Sequence, residues 1–287
     1  MHSIRSILVV IEPDRPDNLA LNRAHLIAGV TGAQLHLLIC TDESVSQLLM
    51  DDLRSELTQD GLTASVEADW SQSVHQTIIK AQQAHDCDLV IKQHLPDNPL
   101  KKALLTPDDW KLLRYCPTPV LMVKTSRPWT GGVILAAVDV GNSDGEHKAL
   151  HYDIVSHGYG IAALAKGRLH VITAYPSPML SAANPVYQLR ETIQARYKEQ
   201  CQAFQDEFEV DDHHLHIAEG PADVLIPHTA HHLDAVVTII GTVARTGLSG
   251  ALIGNTAEAV LDALESDVLV LKTEEIIKHL QGARTSL

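Results

Sequence analysis

Between Ile239 and Glu258 the chain reads Ile-Ile-Gly-Thr-Val-Ala-Arg-Thr-Gly-Leu-Ser-Gly-Ala-Leu-Ile-Gly-Asn-Thr-Ala-Glu, an apolar run that passes through a glycine-rich loop into a helical pattern. A loop of this kind is suited to holding an anion. Its glycines reach positive φ and allow close backbone approach, while the first free N–H groups of the following helix, at its positive dipole end, favour phosphate. The residues in question are Gly241, Ala244, Arg245, Gly247, Gly254, Asn255 and Thr256. The spacing matches neither a GxxxxGK[ST] P-loop nor a GxGxxG dinucleotide turn. The same residues equally fit a surface turn with a capped helix: Asn255 or Thr256 can cap, and Glu258 lies where a capping box would place it.

The other reactive residues carry less pattern. Of seventeen histidines, His228 and His232 share a helical face with His231 beside them, and His213, His214 and His216 follow Asp211 and Asp212. A structural metal site needs about four well-spaced ligands, so both groups read as solvent-facing histidines. Neither a GxSxG elbow nor an HExxH motif occurs, and hydrolase chemistry gains no support. No catalytic residue and no metal ligand are assigned. Cys40, Cys87, Cys116 and Cys201 are scattered without CxxC pairing; they fit a reducing compartment and read as small core hydrophobes.

The rest of the chain must supply the elements that position such a loop. A length of 287 residues with 45% hydrophobic content suits two domains, each with its own core. Aromatic residues make up only 4%, so those cores are aliphatic. The formal charge of −14, with no basic block, argues against a nucleic-acid partner. The first apolar run, 7–11, ends at Glu12 and reads as a strand, not a signal peptide. No apolar run approaches the length of a membrane helix, and the expected location is the cytoplasm.

The sequence also repeats. Ile7-Leu-Val-Val-Ile-Glu12 returns as Ile134-Leu-Ala-Ala-Val-Asp139, and Ala33-Gln-Leu-His-Leu-Leu-Ile39 as Gly167-Arg-Leu-His-Val-Ile-Thr173. Asp88-Leu-Val-Ile91 returns as Asp234-Ala-Val-Val237, and Pro119-Val-Leu-Met-Val-Lys124 as Asp267-Val-Leu-Val-Leu-Lys272. Ordered matches of this kind mark a tandem duplication. Short β-branched runs alternate with helical periods in each copy, the pattern of a parallel sheet covered on both faces. Strands are expected near 7–12, 35–40, 63–68, 88–92 and 120–124, then 134–139, 169–174, 215–218, 235–240 and 268–271. Helices are expected at 18–28, 44–59, 73–84 and 107–114, then 146–165, 186–208, 222–232 and 256–264. Residues 125–132, with Pro128 and paired Gly131 and Gly132, form a linker too short to let the halves swing apart.

Two α/β copies, a first strand ending in a carboxylate, and Gly-Thr-Val-Ala-Arg-Thr-Gly followed by Gly-Asn-Thr-Ala-Glu between strand 4 and the last helix together resemble the universal stress protein family. The resemblance is to its tandem-domain, UspE-like branch and covers nearly the whole chain. It implies an α/β fold of two tandem doubly wound domains, 1–126 and 127–287, each with a five-stranded mainly parallel sheet flanked by helices. It further implies a role in surviving stress, a nucleotide pocket in the ATP-binding members and no demonstrated catalysis. The nucleotide pattern of those members, G-2x-G-9x-G-[ST], falls here on Gly241, Ala244, Gly254 and Asn255, so two of its elements are altered. By the same resemblance Asp139 faces the adenine or ribose, at the carboxyl ends of the strands where ligands of open α/β sheets bind; as a residue alone it equally reads as a solvated strand-end carboxylate.

The first copy carries no glycine at the matching place. Thr106, Pro107, Asp108 and Asp109 there make a well-started helix whose aspartates occupy the end that a phosphate needs. Lys101 and Lys102 read as a solvated loop. The expected function is therefore a cytoplasmic stress-response protein whose second domain takes ATP, another adenine nucleotide or a small anion, and whose first domain is chiefly structural. A ligand-independent interaction scaffold is the alternative, and a slow nucleotide hydrolase a weaker one. The two copies are expected to form an intramolecular pseudo-dimer through their fifth strands, with a further homodimer left open, and neither nucleic acid nor membrane is expected as a partner.

Overall fold

A computed structural model describes residues 4–13, 17–94, 106–142, 144–178, 189–243 and 255–282. The first half runs β1 (Ser6–Ile11), α1 (Leu19–Thr31), β2 (Gln34–Cys40), α2 (Gln47–Gln59), β3 (Ala64–Asp69), α3 (Val74–Ala84), β4 (Leu89–Gln93), α4 (Pro107–Tyr115) and β5 (Val120–Val123). The second runs β6 (Val133–Ala137), α5 (Gly145–Ala165), β7 (Arg168–Tyr175), α6 (Arg190–Phe208), β8 (Leu215–Glu219), α7 (Ala222–His232), β9 (Ala235–Thr242), α8 (Asn255–Ala263), β10 (Asp267–Lys272) and α9 (Glu274–Gly282).

The strands join in one sheet of order β3-β2-β1-β4-β5-β10-β9-β6-β7-β8. Within each half neighbouring strands are parallel, and the topology repeats. Parallel strands require crossover helices, which place apolar surface on both faces. In β1, Ile7, Val9 and Ile11 point into the core beneath α1, α2, α5 and α6, while Leu8 and Val10 point into the core beneath α3, α4, α7 and α8. That two-sided burial is why the strands read as continuous apolar runs and not as alternating ones.

Where the halves meet, β5 and β10 pair antiparallel, with Val120 opposite Val270, Leu121 opposite Leu269 and Met122 opposite Val268. All six side chains are buried. Complete burial of an aliphatic side chain contributes about 1.5–3 kcal/mol, so this seam is held chiefly by apolar packing, and the pairing leaves neither fifth strand as an open edge. Behind the seam the linker is pinned: Trp129 is buried, and a Cβ on Gly132 would lie 2.5 Å from Val236.

Differences from the sequence expectation are local. Strand β6 stops at Ala137, two residues before Asp139, and β9 extends to Thr242. Helix α9 was not anticipated; it buries only Ile276 and Leu280, one helical turn apart, too small an apolar stripe to declare itself. The expected start of α6 at 186 lies outside the described residues.

Candidate functional site

A crevice of about 530 Å³ opens at the carboxyl ends of β6 and β9, between α5, α6, α7 and the start of α8. Its floor and walls are mostly apolar, with Leu150 and Ile154 from α5, Ile226 from α7 and Val260 from α8. Its polar lining includes Asp139, His147, His151, Tyr197 and Thr242. A few convergent polar groups on an apolar concavity are the usual make-up of a small-molecule site.

Asp139 follows β6 and is exposed at the rim. Crowding by protein atoms raises its carboxyl, opposed by the charge of His147, the Gly141 N–H and the Asn142 side chain, and the net displacement is upward. Because the carboxylate also reaches water, solvent screening limits that rise. Next to it, Asp144 starts α5 as an N-cap, accepting the His147 N–H at 3.0 Å. Asp144 Oδ2 also holds His147 Nδ1 at 2.6 Å, and Asn142 Nδ2 lies 3.1 Å from His147 Nε2. These two contacts orient the ring at both ends. One turn on, His151 is buried, and burial together with the neighbouring His147 lowers it to about 4. It is a neutral imidazole in the folded protein.

Two glycines near the crevice answer to packing. A Cβ on Gly241 would come within 2.5 Å of Leu150 and 3.0 Å of Ile154, so α5 occupies the room a side chain would need. Gly141 is covered by the phenol of Tyr197, leaving no space for a Cβ. The glycine at 241 is thus accounted for by helix-on-strand contact without a ligand.

Of the residues singled out from sequence, Asp139 and Gly241 line the crevice, and Asn255 and Thr256 open α8, whose third residue Ala257 also lines it. Ala244, Arg245, Gly247 and Gly254 lie outside the described residues. The carboxylate of Glu258 contacts Arg114 of the first half, a cross-domain ion pair, and not only its own helix start. Sequence reasoning missed Asn142, His147, His151 and Tyr197; the available signal was the i, i+4 pair His147 and His151 at the start of an expected helix.

The matching position of the first half is built differently. Thr106 and Asp109 form a reciprocal capping box at the start of α4. Asp109 is fully buried, with Lys92 Nζ 3.0 Å from Oδ1 and His94 Nδ1 3.0 Å from Oδ2. Burial works to raise this carboxyl, but His94, Lys92 and Thr106 more than reverse it and hold it well below the usual carboxylate range. Asp108 meets His75 Nδ1 at 2.9 Å. Both aspartates expected at this helix start are there, and they bring an internal charge network to the place a phosphate would need. Lys101 and Lys102 are outside the described residues. A crevice of about 640 Å³ remains beside β1 and β2, lined in part by Glu12, Cys40 and Lys92. The Cys40 thiol is pushed up to about 12 by burial, so it offers no thiolate nucleophile at neutral pH.

The family model described as the universal stress protein family matches residues 3–124 and again 132–272. The chain belongs to the universal stress protein family. It is a tandem member, with one family domain on each side of the pinned linker. It is 30% identical to universal stress protein E of Salmonella typhi and 29% identical to that of Escherichia coli strain K12, each alignment covering 96% of both chains. A solved structure of a functionally unknown Pseudomonas aeruginosa protein shares 62% identity and superposes with a TM-score of 0.91 over 100% of this chain and 99% of that one. A universal stress protein from Archaeoglobus fulgidus, 16% identical with a TM-score of 0.62 over 94% of this chain and 99% of that one, shares the fold. Among the described residues, no helix is long and apolar enough to cross a membrane, and no group of three or more His, Cys, Asp or Glu is placed to hold a metal ion.

Proposed function

We propose that this universal stress protein serves in the cytoplasm as a ligand-responsive stress protein, its second half (127–287) taking an adenine nucleotide or another small anionic molecule and its first half (1–126) acting chiefly as structure. The observation that carries this reading is the crevice of about 530 Å³ at the carboxyl ends of β6 and β9, lined by Asp139 and by Ala257 in the first turn of α8. A base or ribose against Asp139 and phosphate against the first N–H groups of α8 would share this one opening. In the first half the corresponding helix start is engaged by Asp108 and Asp109, which supports one ligand per chain.

The test is direct. The purified protein is denatured, the released small molecules are identified by mass and absorbance, and ATP is titrated calorimetrically into the protein as isolated and into Gly254→Val. Binding of about one nucleotide per chain, lost in Gly254→Val, supports the proposal. Absence of any released ligand together with no heat at about millimolar ATP favours a scaffold that works without a ligand.

A further inference from the structure

The repeated histidines on the second strand of each half are both lowered by burial and by neighbouring imidazoles, but in the first half a carboxylate opposes that shift. In the first half His36 on β2 bonds Ser65 Oγ through Nδ1 at 2.8 Å and stacks on His85, ring centroids 4.2 Å apart. His85 Nε2 in turn meets Glu67 at 3.0 Å, so a carboxylate on β3 stands ready to balance a proton. In the second half His170 on β7 directs Nδ1 to His216 Nε2 on β8 at 2.9 Å. His214, from the short turn before β8, lies with its ring centroid 4.5 Å from that of His170. The remaining groups whose charge is felt here are Arg168 on the same strand and, facing His216, His232 at the end of α7. All become or already are cations.

A hydrogen bond between two imidazole nitrogens requires one of them to be a bare acceptor. The pair can therefore carry at most one added proton while the contact survives; a second turns both facing nitrogens into donors, in a half-buried setting where like charges repel strongly. Among the described residues, strand β8 ends the sheet order and is paired only with β7, so the β7–β8 ladder is the place where that repulsion can be relieved. We propose that His170, His214 and His216 form a proton-operated clasp on the β8 edge, closed when the imidazoles are neutral and released on acidification. Burial and the neighbouring imidazoles lower His170 to about 4, and His216 is lowered by burial and by His214 and His232. The neutral, closed form is thus the state at neutral pH.

The test is hydrogen exchange of residues 215–219 between about pH 7.5 and about pH 5, corrected for intrinsic rates and compared with residues 64–69 of β3, where Glu67 accompanies the histidines. Protection of β8 should fall about tenfold more than protection of β3 across that range, and His170→Gln and His216→Gln should each remove the difference. Equal loss at both edges, or an undiminished difference in the variants, overturns the clasp. Imidazole titration of the unsubstituted protein by NMR does not depend on how well either variant folds: titration of His170 or His216 at or above the ordinary histidine value overturns it, and titration of both below that value together with the greater loss of protection at β8 upholds it.

Discussion

Arg23 and Asp267, 244 residues apart in sequence, meet in the core with Nε and Oδ2 at 2.9 Å. Asp267 is fully buried at the start of β10, and its oxygens also accept the Trp129 indole N–H at 2.8 Å and the backbone N–H groups of Lys124 and Thr125 at 2.9 and 3.1 Å. The Arg23 guanidinium stacks 5.0 Å over the Trp129 ring and donates to the carbonyls of Thr125 and Arg127. One carboxylate thereby ties α1 of the first half, the linker and the last strand of the second half. A duplicated chain that could have behaved as two beads is locked as one body at this point.

Asp267→Ala should consequently destabilise the whole protein by about 3–5 kcal/mol, because it leaves the Arg23 charge buried without its partner. Chemical denaturation followed by tryptophan fluorescence should show a lower midpoint for both halves. A loss confined to a few tenths of a kcal/mol would mean that the halves cohere through the β5–β10 seam alone.

Lys124 and Lys272 occupy the same place in the two copies but have unequal fates. Lys124 Nζ donates to the Leu261 and Leu264 carbonyls at the end of α8, at 2.8 and 2.6 Å. Lys272 Nζ is buried and has no hydrogen-bond partner among the described residues, and burial lowers it to about 8. Lys124→Met should therefore destabilise the protein and Lys272→Met should stabilise it, each by about 1–3 kcal/mol. Thermal melts of the two variants check the opposite signs; a loss of stability in Lys272→Met would show a partner for its ammonium.

His151 gives a pH dependence of known sign. Its folded value of about 4 lies below the ordinary 6.5, so the unfolded chain binds the proton more readily. Its contribution is complete above about pH 6.5 and is lost as the pH falls toward 4, by at most about 3 kcal/mol. His151→Leu should flatten that part of the stability profile measured by denaturant titration at several pH values. An unchanged acid limb would show that His151 is protonated in the fold.

What was legible in the sequence was whatever the backbone repeats. Ile7 to Ile11 and Ile134 to Ala137 are buried on both sheet faces, so they announce themselves as unbroken apolar runs, and Val120 to Val123 with Val268 to Leu271 likewise marked the seam. The Arg23–Asp267 tie was not legible, since nothing in the spacing of two distant charged residues says that they share a core. Gly241 was legible as a glycine but its reason was not: Leu150 and Ile154 claim the space, which only the packed helix reveals. His147 and His151 were not legible as site residues, because the side that α5 turns to the crevice is set by tertiary packing.

The altered positions of the nucleotide pattern yield the sharpest test of the proposed ligand. Gly241 is unsuitable for it, since Gly241→Ala would drive a methyl against Leu150 at 2.5 Å and disturb α5 whether or not a ligand binds. Ala244 and Asn255 are better choices: in the proposed site, glycine at 244 would remove a methyl that obstructs phosphate, and serine at 255 would restore the hydroxyl of the nucleotide pattern. Ala244→Gly combined with Asn255→Ser should tighten ATP binding by about tenfold, or about 1.4 kcal/mol, whereas Asp139→Ala should weaken it less severely than Gly254→Val because it removes one contact to base or ribose and leaves the phosphate end intact. Calorimetry on these variants reads out both ends of the site separately. If the parent and the restored variant are equally silent at about millimolar ATP, the crevice is not a nucleotide site, and the ion-paired, linker-pinned body acts as a scaffold.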